Sequence, residues 1–306
     1  MLFQRSLKSV GKDAAWQEIS DSLVTAMGAG NKITHKRPLS GGSINSAFCV
    51  ETGQGDSFFV KLHQENQLSM FEAEAEGLRE LRKANAIRVP EPVCVGAGQA
   101  YAWIITEFIT FGRSNAQTEE AFGRQFAEMH QLASEQFGWR RNNTIGSTPQ
   151  INQWRDNWIE FYRQHRLGFQ LKLAAENDFK GSLQSKGERL MADLEKFFIS
   201  YTPIPSLMHG DLWGGNQGVD DAGNPVIFDP AVYYGDREAD LAMTGLFGGF
   251  STTFYDAYHE TWPLDDGYIV RKTLYNLYHI LNHANLFGSG YAMQAESMLD
   301  QLLAEC

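Results

Sequence analysis

A chain of 306 residues, 43% hydrophobic and 21% charged, has material for two modest cores and the composition of a globular protein. Its formal net charge of −11, from 26 Lys and Arg against 37 Asp and Glu, argues against nucleic acid or an anionic membrane as main partner. Three scattered cysteines (Cys49, Cys94, Cys306) lack metal-ligand spacing and read as reduced thiols. Residues 1–12 lack a secretory apolar core and no apolar run reaches membrane-spanning length, so a cytoplasmic location is expected.

Residues 13–27 carry Ala15, Ile19, Leu23 and Ala26 at helical spacing, with a stop at Gly28-Ala29-Gly30. Strands are expected at 33–39, 45–51 and 57–62, joined by glycine-bearing turns. Between the first two, Ser40-Gly41-Gly42-Ser43 reads either as a plain hairpin turn or as a loop whose bare backbone approaches phosphates. In the third strand, alternation puts Phe58, Val60 and Leu62 on one face and Phe59 with Lys61 on the other. A helix over 68–82 collects Leu68, Phe71, Ala75, Leu78 and Leu81 on one face. Glu74 falls inside that face, whereas Glu72, Glu76 and Glu80 fall outside it. A lysine in so apolar a strand needs a partner charge, and Glu74 is the candidate.

Two more strands are expected at 93–96 and 101–109, then a linker near Phe111-Gly112-Arg113-Ser114-Asn115. That linker divides the chain into 1–110 and 111–306. The second part reads mainly helical, with helices over 119–133, 154–173 and 186–199 and one or two more within 266–305. His279 and His283 stand four apart but have no acidic third ligand, and read as packing residues.

The chemistry concentrates in His209-Gly210-Asp211-Leu212-Trp213-Gly214-Gly215-Asn216 and in Val226-Ile227-Phe228-Asp229. An aspartate, an amide five residues on and a second aspartate closing an apolar run make the working set of a phosphotransferase site. Asp211 would accept a hydroxyl proton. Asn216 and Asp229 would hold the Mg²⁺ that accompanies ATP, and Lys61, fixed by Glu74, would reach the phosphates. The short stretch after Asp229, with no Ala-Pro-Glu, argues against a protein kinase working on extended peptide loops.

Further blocks sharpen this: Gly41-Gly42-Ser43-Ile44-Asn45, Phe58-Phe59-Val60-Lys61, Met70-Phe71-Glu72-Ala73-Glu74, Phe228-Asp229-Pro230-Ala231 and Tyr234-Gly235-Asp236-Arg237-Glu238-Ala239-Asp240-Leu241-Ala242-Met243. With the histidine-led block above, they make the sequence resemble the fructosamine (ketosamine) 3-kinases over nearly its whole length. The last block, and a tryptophan two residues after Asp211, set that family apart from aminoglycoside and choline kinases. The resemblance implies an α+β, two-lobed protein-kinase-like fold, with a small antiparallel N-lobe holding one key helix and a larger, mainly helical C-lobe. It implies ATP and Mg²⁺ as cofactors and phosphorylation of the sugar 3-hydroxyl of a ketosamine, free or on a protein lysine, which leads to deglycation. It places Gly41, Gly42 and Ser43 at the phosphates, and the backbone of Glu107, Phe108 and Ile109 at the adenine edge with Thr106 behind. Trp213, Tyr234 and Asp236 are candidates for the sugar pocket, with Asp236 equally a candidate for a structural ion network under the catalytic loop; His209, Arg237 and Asp240 are expected to be structural. Some family members carry a cysteine where Ser43 stands, so thiol regulation of that loop is not expected. The alternatives are a kinase for another small alcohol, such as an aminoglycoside or choline, and a nucleotide-binding pseudokinase.

Overall fold

The computed structural model describes residues 9–39 and 46–306. The chain begins its described elements with α1 (Ser9–Met27), followed by β1 (Ile33–Leu39), β2 (Ser46–Thr52), β3 (Ser57–Gln64), α2 (Leu68–Arg82), β4 (Pro92–Ala97) and β5 (Tyr101–Glu107). The five strands form one antiparallel sheet in the order β1-β2-β3-β5-β4. The alternation in β3 decides its packing: Phe58, Val60 and Leu62 enter a core with Ile19 and Leu23 of α1, Val50, Trp103 and Ile105. Lys61 is turned the other way and is 6% exposed.

The remaining elements are α3 (Ala116–His130), the hairpin β6 (Asn143–Ile145) and β7 (Thr148–Gln150), α4 (Trp158–Tyr162), α5 (Gly168–Glu176), α6 (Ser182–Ala192), β8 (Ser206–Met208), β9 (Gln217–Val219), β10 (Pro225–Ile227), β11 (Tyr233–Gly235), α7 (Arg237–Thr244), α8 (Thr252–Thr261), α9 (Tyr268–Phe287) and α10 (Ser289–Ala304). β9 pairs with β10 and β8 with β11, both antiparallel, and these two short ladders carry the residues flanking Asp211 and Asp229. Helix α3 packs on α8 through Phe122, Phe126, Phe254 and Tyr258, and α9 packs on α7 and α10.

The chain forms two compact units. One takes the chain up to Arg79 together with Val89–Thr110; the other takes Glu80–Arg88 with Phe111–Cys306. Residues 80–88 therefore pack with the second unit, which a single cut near residue 110 does not anticipate. The helix expected over 154–173 is broken: 154–157 is not helical, and a π-helical turn, Arg163–Leu167, separates α4 from α5. The helix expected over 186–199 ends at Ala192 and tightens into a 3-10 turn, Leu194–Phe198. Among the described residues, no helix is long and apolar enough to cross a membrane.

Candidate active site

In the first unit, Lys61 Nζ lies 2.7 Å from Glu74 Oε1, with both side chains largely buried. The apolar strand removes the ammonium from water, so the carboxylate is what makes the position tolerable. Thr106 is buried one residue before Glu107, and the Glu107 N–H is committed to the Glu91 carbonyl at 2.8 Å. That donor is used inside the fold, so at Glu107 only the backbone carbonyl is left to meet an adenine edge. Gly41, Gly42 and Ser43 lie outside the described residues.

In the second unit, Asp211 stands at the head of a tight loop. Its backbone carbonyl and carboxylate accept from Asn216 Nδ2 at 2.9 and 3.3 Å, which turns Asn216 Oδ1 away from Asp211. Asp229 follows β10 with its side chain exposed and its backbone in the left-handed region, at φ 58°. Asparagine and aspartate adopt that region more readily than other non-glycine residues, and it recurs at functional sites as well as in turns. Burial raises the Asp211 pKa well above the usual carboxylate range, and the charges of Asp229 and Asp240 add to the effect. A divalent cation held by the Asn216 amide oxygen and the Asp229 carboxylate would relieve that repulsion. Hard oxygen donors of this kind suit Mg²⁺.

The loop is pinned from beneath. Asp240 accepts the N–H groups of His209 and Gly210 at 2.6 and 2.8 Å. His130 Nε2 lies 3.2 Å from the same carboxylate and its Nδ1 lies 2.8 Å from the Tyr258 hydroxyl, which accepts from Arg237 at 3.1 Å. Burial holds His130 below its ordinary pKa, hence neutral, so Tyr258 donates to it and it donates to Asp240. Burial opposes the Asp240 charge, yet the hydrogen bond from His130 and its other donors hold its pKa below the usual value. His209 is also buried and neutral: Nδ1 accepts from the Asp211 N–H at 3.2 Å, so Nε2 donates to the Phe228 carbonyl at 3.0 Å. One imidazole thus joins the segment before Asp229 to the loop of Asp211. Gly210 has φ 84°, and a Cβ there would collide with the Ala231 carbonyl. The structural roles expected for His209, Arg237 and Asp240 agree with this geometry.

Two sugar-pocket candidates are corrected. Asp236 is fully enclosed: it caps α7 through the Glu238 N–H at 3.1 Å and accepts the hydroxyls of Tyr201 (2.8 Å) and Tyr275. Both its oxygens are engaged within the fold. Tyr234 is buried, and its hydroxyl donates to Glu80 Oε1 at 3.0 Å. Glu80 is itself a correction, because the helical face placed it outside. The last turn of α2 belongs to the second unit, where Glu80 meets Tyr234 and Lys83. Trp213, by contrast, is 39% exposed two residues from Asp211. His279 and His283 pack among rings; burial pushes His279 down to about 3, and no metal cluster of His, Cys, Asp and Glu occurs among the described residues. Sequence reasoning passed over Asn143 and Gln150, whose side-chain amides reach the backbone just after Asp229, and Arg166, which connects to them through Asn152. The only trace they leave is an unusual density of amides around a short Gly146 hairpin.

The model of the fructosamine kinase family matches residues 15–305. A probable ketoamine kinase from Synechocystis sp. is 46% identical over 299 residues, covering 96% of this chain and 99% of its own. The chloroplastic protein-ribulosamine 3-kinase of Oryza sativa subsp. indica is 47% identical over 279 residues, covering 90% of this chain and 81% of its own. The crystal structure of a candidate fructosamine-3-kinase from Haemophilus somnus 129PT superposes with a TM-score of 0.86 at 31% identity, covering 94% of this chain and 97% of the other. The fold is that of the protein-kinase-like phosphotransferases, whose activity uses ATP, and the chain belongs to the fructosamine kinase family.

Proposed function

We propose that the protein is a ketosamine 3-kinase, which transfers the γ-phosphoryl group of ATP to the 3-hydroxyl of a ketosamine on a small amine or a protein lysine. The observation that carries the reading is Asp211, hydrogen-bonded to Asn216 and pinned through its neighbours by Asp240, in a chain that matches the family over nearly its whole length. Asp211 accepts the proton of the attacking hydroxyl. Such a base contributes about 10²- to 10⁴-fold. Lys61, held by Glu74, stabilises charge on the α- and β-phosphates, with Gly41, Gly42 and Ser43 as the phosphate loop. Mg²⁺, when bound by Asn216 and Asp229, neutralises phosphate charge. Trp213, beside the base and exposed, offers the sugar an aromatic wall.

A phosphate on C3 explains the consequence for the adduct. When the ketosamine enolises to its 1,2-enaminol, the C3–O bond becomes allylic and phosphate leaves; hydrolysis of the remaining imine then frees the amine. The test is ATP consumption with ribulose-lysine, fructose-lysine, choline and kanamycin, run beside Asp211→Asn. Turnover on a ketosamine that falls about 10²- to 10⁴-fold in the variant is expected. Turnover on choline or kanamycin alone would overturn the substrate class.

A further inference from the structure

Arg166 is among the largest fully buried side chains of the protein, and no carboxylate lies within ion-pair distance of it among the described residues. It sits on the π-helical turn between α4 and α5, a rare local widening found frequently at functional sites. Its guanidinium lies over the rings of Tyr233 (4.1 Å) and Phe161 (4.6 Å), and donates to the Ile151 carbonyl at 2.7 Å and to Asn152 Oδ1 at 2.8 Å. Nε has no acceptor among the described residues. A buried cation without a counter-charge costs several kcal/mol, and packing alone would be served better by methionine or leucine.

What the cation does is fix a direction. Arginine only donates, so the oxygen of Asn152 must face it and the Asn152 amide nitrogen must face away. That nitrogen donates to Asn143 Oδ1 at 2.8 Å. Asn143 Nδ2 in turn donates to the Val232 carbonyl at 2.8 Å. Gln150 Nε2 donates both to Asn143 Oδ1 (2.9 Å) and to the Ala231 carbonyl (3.0 Å), while its own oxygen accepts from the Tyr278 hydroxyl at 2.8 Å. Each amide accepts on the Arg166 or Tyr278 side and donates toward residues 231 and 232. The Ala231 N–H is meanwhile bound to the His209 carbonyl at 2.8 Å. Ala231 is thus gripped through both its N–H and its carbonyl and Val232 through its carbonyl, directly after Asp229-Pro230, where Asp229 carries the left-handed backbone at φ 58°.

We infer that Arg166 is a positioning residue for Asp229, setting the sense of an amide relay through Asn152, Asn143 and Gln150 that clamps the backbone of residues 231–232. This rests on the reading of Asp229 as a Mg²⁺ ligand. The test compares Arg166→Met, Arg166→Lys, Asn143→Asp and Asp229→Asn with the wild-type protein. Asn143→Asp keeps the acceptor for Asn152 and Gln150 but presents an oxygen to the Val232 carbonyl, so it breaks only the last link. Two readouts are taken besides turnover: hydrogen exchange at the Ala231 amide in the nucleotide-free protein, and the Mg²⁺ concentration giving half of the nucleotide-induced thermal shift.

Arg166→Met and Asn143→Asp should both speed exchange at Ala231 and raise the Mg²⁺ requirement by about 10- to 100-fold, with the ketosamine KM unchanged. Arg166→Lys, which keeps a donor, should recover part of the loss. Should Arg166→Met fail to fold, Asn143→Asp decides alone. Wild-type exchange and an unchanged Mg²⁺ requirement in folded Asn143→Asp would overturn the inference. If Asp229→Asn leaves the Mg²⁺ requirement unchanged, the metal assignment of Asp229 fails instead, and exchange at Ala231 still reads the relay.

Discussion

Asp240 accepts three times: from the N–H groups of His209 and Gly210 and from His130. Because those donors arrive from fixed directions, an amide in place of the carboxylate would set an NH₂ against at least one of them. Asp240→Asn should therefore lower stability by about 1–3 kcal/mol through an unmatched buried donor. Turnover should also fall, because the same carboxylate orients the backbone leading into Asp211. A thermal melt and kcat on one preparation check both, and a variant with normal kcat would detach Asp240 from the site. Lys61 with Glu74 shows how far residue-level reading reaches. Strand alternation and the helical face, both local periodicities, identified the pair that the structure places at 2.7 Å. Asp236 shows where it stops. Nothing local to Tyr234-Gly235-Asp236 indicates that Tyr201 and Tyr275, 35 and 39 residues away, take both carboxylate oxygens.

At the scale of elements, the ladders β8/β11 and β9/β10 bring the Asp211 and Asp229 segments together, and at Gly210 there is no room for a side chain against Ala231. Gly210→Ala meets both a left-handed backbone and the Ala231 carbonyl. The conformational cost alone is about 1–2 kcal/mol, and the collision adds to it, so the melting temperature should drop by several degrees. A melt indistinguishable from wild type would mean that the loop relaxes freely, contrary to a rigid catalytic turn. The strands of the first sheet were legible because alternation and glycine turns are local. The breaks in the second unit were not: the π turn at Arg163–Leu167 answers to where Arg166 must go, and the amphipathic pattern runs through it. Helices α7 and α8 were also missed. Every residue of α7 is buried, which erases the polar face that periodicity needs.

For the whole molecule, buried ionisable groups make stability depend on pH. Five histidines, His130, His165, His209, His279 and His283, have pKa values lowered chiefly by burial, His165 to about 4 and His279 to about 3. Below pH 6.5 the unfolded chain protonates these groups while the folded one resists, so stability is lost as pH falls. Three carboxyls raised chiefly by burial, Asp211, Asp236 and Glu238 (the last to about 7), act in the opposite sense. The histidines outnumber the raised carboxyls, so the loss of stability toward acid outweighs the opposing gain. Denaturant melts between pH 7.5 and 5 should show falling stability on the acid side; constant stability would mean that the carboxyls cancel the histidines. The chemistry itself is measured most directly by the position of the transferred phosphate. ³¹P–¹³C correlated NMR on the product of ATP and ribulose-lysine should place the phosphate on C3, with free lysine appearing as that product decays. Phosphate on any other hydroxyl, or a 3-phosphate made equally fast by Asp211→Asn, would contradict the account.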